Sequence, residues 1–169
     1  MDNPSNGDRP LVDGREVLPA DYMRPIVWKE GDEASFQCLF ARSLTEPAVA
    51  RIYDWPPIAD IRTEYRVGCA KCDVVAFHVD GSITVFELKR AGMKLRDYMT
   101  GVGQLINASV QFGVALSRSG RHEDVRLVLA VPTGVVPDVG FACLAAGIVY
   151  MPFGEISTHN INDQKAREG

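Results

Sequence analysis

The chain has little of what would let chemistry or stability come from cross-links. Only four cysteines and three histidines occur in 169 residues. Cys69 and Cys72 stand at CxxC spacing, half of a zinc or redox site, but no second CxxC and no HxxxH supplies the other ligands. The scattered positions of Cys38 and Cys143 do not build a four-cysteine cluster, so reduced thiols of a cytosolic protein are expected. No run approaches the roughly 18–20 apolar residues that span a bilayer. The N-terminus, MDNPSNGDRP, is polar and lacks the apolar segment of a secretory leader. A cytoplasmic protein without membrane contact is the expectation. There is no surplus of positive charge either: 18 Lys and Arg face 22 Asp and Glu, a net charge of −4, which excludes a basic coat for nucleic acid.

What is present is an ordinary globular composition, 46% hydrophobic and 24% charged, which excludes a disordered or fibrous chain. The length suits one compact domain with a core of its own. Residues 1–20, rich in Pro, Asn, Asp and Gly, read as a flexible arm, 21–154 as a single domain and 155–169 as a polar tail. Charge is unevenly spread. Residues 61–96 carry seven basic side chains against four acidic ones, so the middle of the chain can meet phosphate although its ends are acidic.

Period and punctuation give the elements. Asp32 can cap a helix on which Phe36, Leu39, Phe40 and Leu44 recur at helical spacing. Pro47 can open a short second helix that Pro56-Pro57 ends. Residues 61–67 alternate apolar and polar as a strand does, and 73–79 and 83–89 are β-rich runs either side of Asp80-Gly81, a hairpin signal. A helix is expected over 94–117, where Gly101, Gly103 and Gly113 can let it lie close to a sheet. Residues 125–131 form an apolar run suited to a strand buried on both faces, 138–146 a short helix and 148–151 a last strand. The order predicts an α/β (α+β) mixed sheet flanked by helices.

The chemistry concentrates between Asp73 and Lys89. Glu87 and Lys89 lie two apart on a strand and therefore share a face. Asp73 and Glu87, with the Leu88 carbonyl, would offer hard oxygen ligands to Mg²⁺, and Lys89 could orient an attacking water and stabilise developing negative charge. A two-residue loop at Asp80-Gly81 would set Asp73 opposite Leu88, on the wrong face. A three-residue loop, Val79-Asp80-Gly81, with a bulge at Gly81 sets it opposite Glu87. The carboxylates therefore require an odd loop or a bulge.

Asp73, then Glu87-Leu88-Lys89, between a leading helix and the helical stretch GVGQLINA, resembles the PD-(D/E)xK nuclease superfamily over about residues 31–153. Cys72 stands where that motif carries proline. The resemblance implies a restriction-endonuclease-like fold with an αβββαβ core, dependence on Mg²⁺ or Mn²⁺, and hydrolysis of phosphodiester bonds in DNA, as an endonuclease of DNA processing, repair or restriction. Asp73, Glu87 and Leu88 are then metal ligands and Asp73, Glu87 and Lys89 catalytic. A further acid often joins from the first helix or first strand. Glu33 and Glu64 both qualify, the first on the helix face of Phe36 and Phe40, the second in the strand ahead of the site. Gln104 resembles the glutamine that some members carry on the following helix to hold water or phosphate. The QxxxY form of one exonuclease branch is absent, since position 108 is Ala. Arg90, Lys94 and Arg96 follow the motif where a DNA backbone would lie. DNA is the implied partner, with a homodimer as one way to cut both strands. The rival reading is a non-catalytic nucleic-acid-binding or protein-interaction module on the same fold.

Overall fold

The computed structural model describes residues 11–12, 15–16, 27–28, 33–90, 92–132, 137–153 and 156–157. Along the chain lie β1 (Leu11–Val12), β2 (Arg15–Glu16), β3 (Val27–Trp28), α1 (Glu33–Ser43), α2 (Pro47–Tyr53), β4 (Ile58–Val67), β5 (Ala70–His78), β6 (Ile83–Leu88), α3 (Leu95–Arg118), β7 (Val125–Pro132), α4 (Pro137–Ala145), β8 (Val149–Phe153) and β9 (Ile156–Ser157). Strands β4 to β8 form one five-stranded sheet in sequence order. The β4–β5 and β5–β6 pairs are antiparallel hairpins, whereas β6–β7 and β7–β8 are parallel, with α3 and α4 as the crossovers. This is a mixed sheet flanked by helices, and from α1 to β8 it holds the αβββαβ order that the resemblance implied.

Each face of the sheet carries one apolar layer. On one side Phe36 and Phe40 of α1, and Leu44 just past its end, meet Val74, Phe86 and Val128, with Trp55 set edge-on to Phe86 at 5.3 Å between ring centroids. On the other, Val102, Leu105 and Phe112 of α3 and Val139 and Cys143 of α4 cover Val75, Val85 and Leu129. With a layer on both faces, β6 and the middle of β7 are buried, which explains the unbroken apolar run over 127–131; on β6 the polar Thr84 and Glu87 are buried as well.

Two expectations change. The strand expected from residue 73 begins at Ala70, because β4 and β5 continue as one hairpin around a turn at Gly68-Cys69, where Gly68 adopts φ +54°. Of the three α3 glycines, only Gly101 lies against the sheet, while a Cβ at Gly103 or Gly113 would meet nothing within 4 Å. In the stretch read as an arm, β1 pairs antiparallel with β2, and in the stretch read as a tail β9 pairs in parallel with β3; the remainder of 1–20 and 155–169, and the Asp32 cap, lie outside the described residues. Among the described residues no helix is long and apolar enough to cross a membrane.

Candidate active site

The β5–β6 turn sets the spacing of the motif. His78 pairs with Ser82 across Val79-Asp80-Gly81, and Gly81 takes φ +91°, the bulge conformation that glycine permits. The ladder runs Phe77↔Ile83, Ala76↔Thr84, Val75↔Val85 and Val74↔Phe86. The regular ladder ends at Val74↔Phe86, one position short of Asp73 and Glu87, in the register that a three-residue loop gives. The Leu88 N–H donates to Asp73 Oδ2 at 2.8 Å, tying the carboxylate to the partner strand. The backbone of Lys89 donates to the Ala130 carbonyl at 3.0 Å, so the end of the motif is anchored on β7.

The β4–β5 hairpin changes faces at this point. Ile61, Val74 and Ala76 pack in the α1 layer, yet Val67, Ala70 and Cys72, of the same parity on their strands, pack in the α3 layer. Strict alternation would hold each set on one face. The swap occurs at Glu64 and Asp73, where the ladder between Thr63↔Val74 and Tyr65↔Cys72 skips one pair. Glu64 has φ +53° there, a left-handed conformation that costs a non-glycine residue roughly 1 kcal/mol or more. Beyond this pivot the hairpin folds over α3, with Tyr65 stacked on Phe112 at 6.1 Å.

A buried amide joins the pivot to α1. Gln37, 1% exposed, donates from Nε2 to Glu64 Oε1 at 2.9 Å and to Asp73 Oδ1 at 3.3 Å. One neutral donor shared between two carboxylates lets them approach without a third charge. Its own Oε1 is buried without a hydrogen-bond partner. Such a polar atom is costly and marks a position held for a reason. Glu64 also forms an ion pair with Lys71. The Lys71 hydrogen bond foremost, with that of Gln37, holds the Glu64 carboxyl below the usual range against the opposing effect of burial.

Glu87 of β6 and Lys89, just past the strand, form a buried ion pair, Nζ to Oε1 at 2.7 Å, and Gln104 Oε1 of α3 accepts from the same ammonium at 2.9 Å. Glu87 and Gln104 thus set where the Lys89 head lies. Gly101 makes this geometry possible: a Cβ there would stand 2.7 Å from Lys89 Cε and 2.8 Å from Leu129 Cδ1. These groups line an open cavity of about 260 Å³ that also takes in Lys71, Arg90 and Met93. Cys72, buried in the α3 layer next to Asp73 in the chain, has its thiol pushed up to about 11, first by burial and then by the negative field of Glu87 and Asp73.

Of the residues expected at the site, Asp73, Glu87, Leu88, Lys89, Gln104, Glu64 and Arg90 all line the cavity. Glu33 is the first residue of α1, and its side chain lies outside the described residues. Lys94 precedes α3, its backbone N–H held by Asp97 Oδ2 at 3.3 Å, and Arg96 sits on the exposed first turn beside Asp97 at 3.6 Å. Neither lines the cavity. Gln37 was not expected. The signal for it is a polar residue inside the inward stripe of a helix, between Phe36 and Phe40 and one turn after Glu33.

Among the described residues no group of three or more His, Cys, Asp or Glu side chains forms a ready-made metal cage. The donor chemistry nevertheless suits Mg²⁺ or Mn²⁺. Mg²⁺ commonly takes one or two carboxylates and keeps several waters. The carboxylates of Asp73 and Glu87 both line the open cavity, Asp73 held by Gln37 of α1 and Glu87 paired with Lys89. No disulfide links the described cysteines; Cys69 is exposed in the turn and Cys72 buried.

No family model matches the sequence, and no curated protein does. Among solved structures, the chain is similar to a repair endonuclease from Pyrococcus abyssi, at 20% identity and TM-score 0.49, over 75% of this chain and 49% of that one. It is also similar to EndoMS in a complex with double-stranded DNA, at 22% identity and TM-score 0.38, over 54% of this chain and 34% of that one. The chain spans about half the length of the first of these proteins and a third of the second.

Proposed function

We propose that this chain is a metal-dependent deoxyribonuclease of the PD-(D/E)xK type, an endonuclease that hydrolyses phosphodiester bonds in DNA. The observation that supports this most is the register at the end of β5 and β6. It runs to Val74↔Phe86, and the residues that follow on the two strands, Asp73 and Glu87, line one open cavity together with Lys89, the ion-pair partner of Glu87. Two carboxylates and a lysine there are hard to account for as a strand end alone, because burying such charges is costly without a compensating role.

In this reading Asp73, Glu87 and the Leu88 carbonyl hold Mg²⁺ or Mn²⁺, which supplies Lewis-acid polarisation of the scissile phosphate and a more acidic water. Lys89 carries the positioning task. As an ammonium it can only donate, so it orients the attacking water through that water's oxygen and stabilises charge growing on the phosphoryl oxygens. Gln104 and Glu87 fix the direction of those N–H bonds. Water oxygen adds to phosphorus, the bond to a deoxyribose oxygen breaks, and that oxygen leaves with a proton. Glu64 is the additional acid within the cavity, placed by Gln37 and Lys71. Arg90, at the cavity wall, and Lys94 and Arg96 beyond it carry the DNA backbone.

The experiment is cleavage of supercoiled plasmid and of linear duplex with Mg²⁺ or Mn²⁺, repeated with Glu87→Gln and Lys89→Met after circular dichroism shows each variant folded. Wild-type cleavage lost in both variants and abolished by chelator is expected. Cleavage retained by folded Glu87→Gln, in protein free of contaminating nuclease, overturns the assignment. If folded wild type binds DNA without cutting it, the fold serves as a binding module instead.

A further inference from the structure

Eight large apolar side chains are exposed among the described residues, and seven of them sit on α3 and α4. On α3 these are Leu95, Met99, Ile106, Val110 and Val114. At 100° per residue they fall within an arc of about 100°, so they form one flank of the helix. Gln104 and Gln111 lie on the other flank, where they meet Lys89 and the β4–β5 turn. The apolar flank therefore points away from the candidate active site and toward the side where α4 packs against α3 and β8. On α4, Phe141 is 69% and Leu144 78% exposed. The α3 flank and the outer face of α4 make one surface.

A helix exposed to water ordinarily carries charge on its outer face. Here residues 98–117 contain none, although Val110 among them is 57% exposed. Five exposed large apolar side chains along one flank of α3, with two more on α4, exceed the scattered single exposures normal on a monomer, and a contiguous exposed apolar patch marks an interaction site. The described N-terminal strands and β9 do not cover it. β1 and β3 pack on α1 across the sheet, and β9 pairs with β3. Residues 158–169, THNINDQKAREG, hold one large apolar side chain.

We propose that the α3–α4 face is the interface with a second copy of this chain. An uncharged face offers nothing to a phosphate backbone or an acidic peptide, but it complements itself. In a two-fold antiparallel crossing centred near Ile106, Met99 of one copy lies across from Val114 of the other, and Val110 across from Gly103, where no side chain intervenes. Both candidate active sites stay open, since each lies on the opposite flank of its own α3.

The test is sedimentation velocity on the wild type, Ile106→Glu, Ile106→Lys, an equal mixture of those two, and Phe141→Ser. The substituted side chains are exposed, so thermal melts should show all variants folded. A micromolar wild-type dimer is expected, with each Ile106 variant monomeric and Phe141→Ser weakened at least tenfold. Because a residue near the axis meets its own counterpart, the Glu and Lys variants should associate when mixed. A wild type that stays monomeric at hundreds of micromolar overturns the proposal, as does a dimer that persists in both Ile106 variants. A mixture that remains monomeric overturns the two-fold arrangement. A monomer whose face is taken by a further domain or another protein assigns the surface to that occupant instead.

Discussion

Gly101→Ala should be destabilising, although alanine is the better helix former. The added Cβ would stand 2.7 Å from Lys89 Cε, 2.8 Å from Leu129 Cδ1 and 3.4 Å from Glu87 Cγ. Distances under 3.0 Å require something to move. Leu129 is fully buried and has nowhere to go, and the Lys89 head is held by Glu87 and Gln104. Overpacking of this kind costs about 1–3 kcal/mol. Alanine recovers about 1 kcal/mol of helix propensity, which leaves a net loss of about 0–2 kcal/mol. Gly103 and Gly113 provide controls in the same helix, because a Cβ at either meets nothing. Their alanine variants should gain about 0.5–1 kcal/mol. The gap between the 101 variant and the controls is then the overpacking cost itself, about 1–3 kcal/mol or several degrees of Tm. Urea unfolding in the Ile106→Glu background, which keeps the copies apart, measures it. Displacing Lys89 should also slow cleavage. If Gly101→Ala is as stable as Gly103→Ala, α3 does not bear on the Glu87–Lys89 pair as described, and the reasoning fails.

Two further outcomes follow from buried groups. His78 is buried between the Pro56 carbonyl, 2.8 Å from Nδ1, and Thr84 Oγ1, 2.8 Å from Nε2, and burial lowers its pKa. The unfolded chain then takes up the proton first, so stability is fully present above about pH 6.5 and is lost as pH falls through the lower folded value; His78→Gln should flatten that part of the urea-derived stability profile, and an unchanged slope would sink the account. In the folded protein iodoacetamide should modify exposed Cys69 and spare Cys72, whose thiol is buried and pushed up to about 11, so mass spectrometry showing comparable rates at both would contradict the packing.

Much of this architecture is legible in the sequence because local signals agree with one another. The apolar run over 125–131 marks a strand covered on both faces, and the structure places it inside the sheet, between β6 and β8. The parity argument over Asp80-Gly81 requires three loop residues, and Gly81 at φ +91° supplies the bulge. Asp73, Glu87, Lys89 and Gln104 gather at one cavity because each spacing is local, a hairpin register or one flank of a helix. What is not legible depends on contacts distant in sequence. Gln37 reaches Asp73 from 36 residues away, and nothing in the spacing of α1 says which of its polar residues will do so. The pivot at Glu64 is hidden for another reason. Residues 61–67 read as a regular alternating strand, and a single left-handed residue leaves that pattern of letters intact while reversing the face that follows it. The three α3 glycines look alike in sequence, and only tertiary packing separates Gly101 from the other two.

The face swap at Glu64 and Asp73 divides one hairpin between two units of local stability. The inner half of the hairpin is gripped from both sides, Ile61, Val74 and Ala76 in the α1 layer and Val75 in the α3 layer, whereas the outer half, 65–72, is built into the α3 layer alone, with Gln111 seated against its turn. Amide exchange should therefore break along the hairpin rather than between its strands. The outer half should open together with the C-terminal half of α3, and the inner half only with the sheet. The carboxylates sit on that seam. Their separation is set jointly by two units that can fluctuate independently, joined across it by the amide of Gln37. A change that loosens α3 near Phe112, remote from every acid in the cavity, would then reach the site as a wider spread of Glu64–Asp73 distances, with the mean fold unaltered.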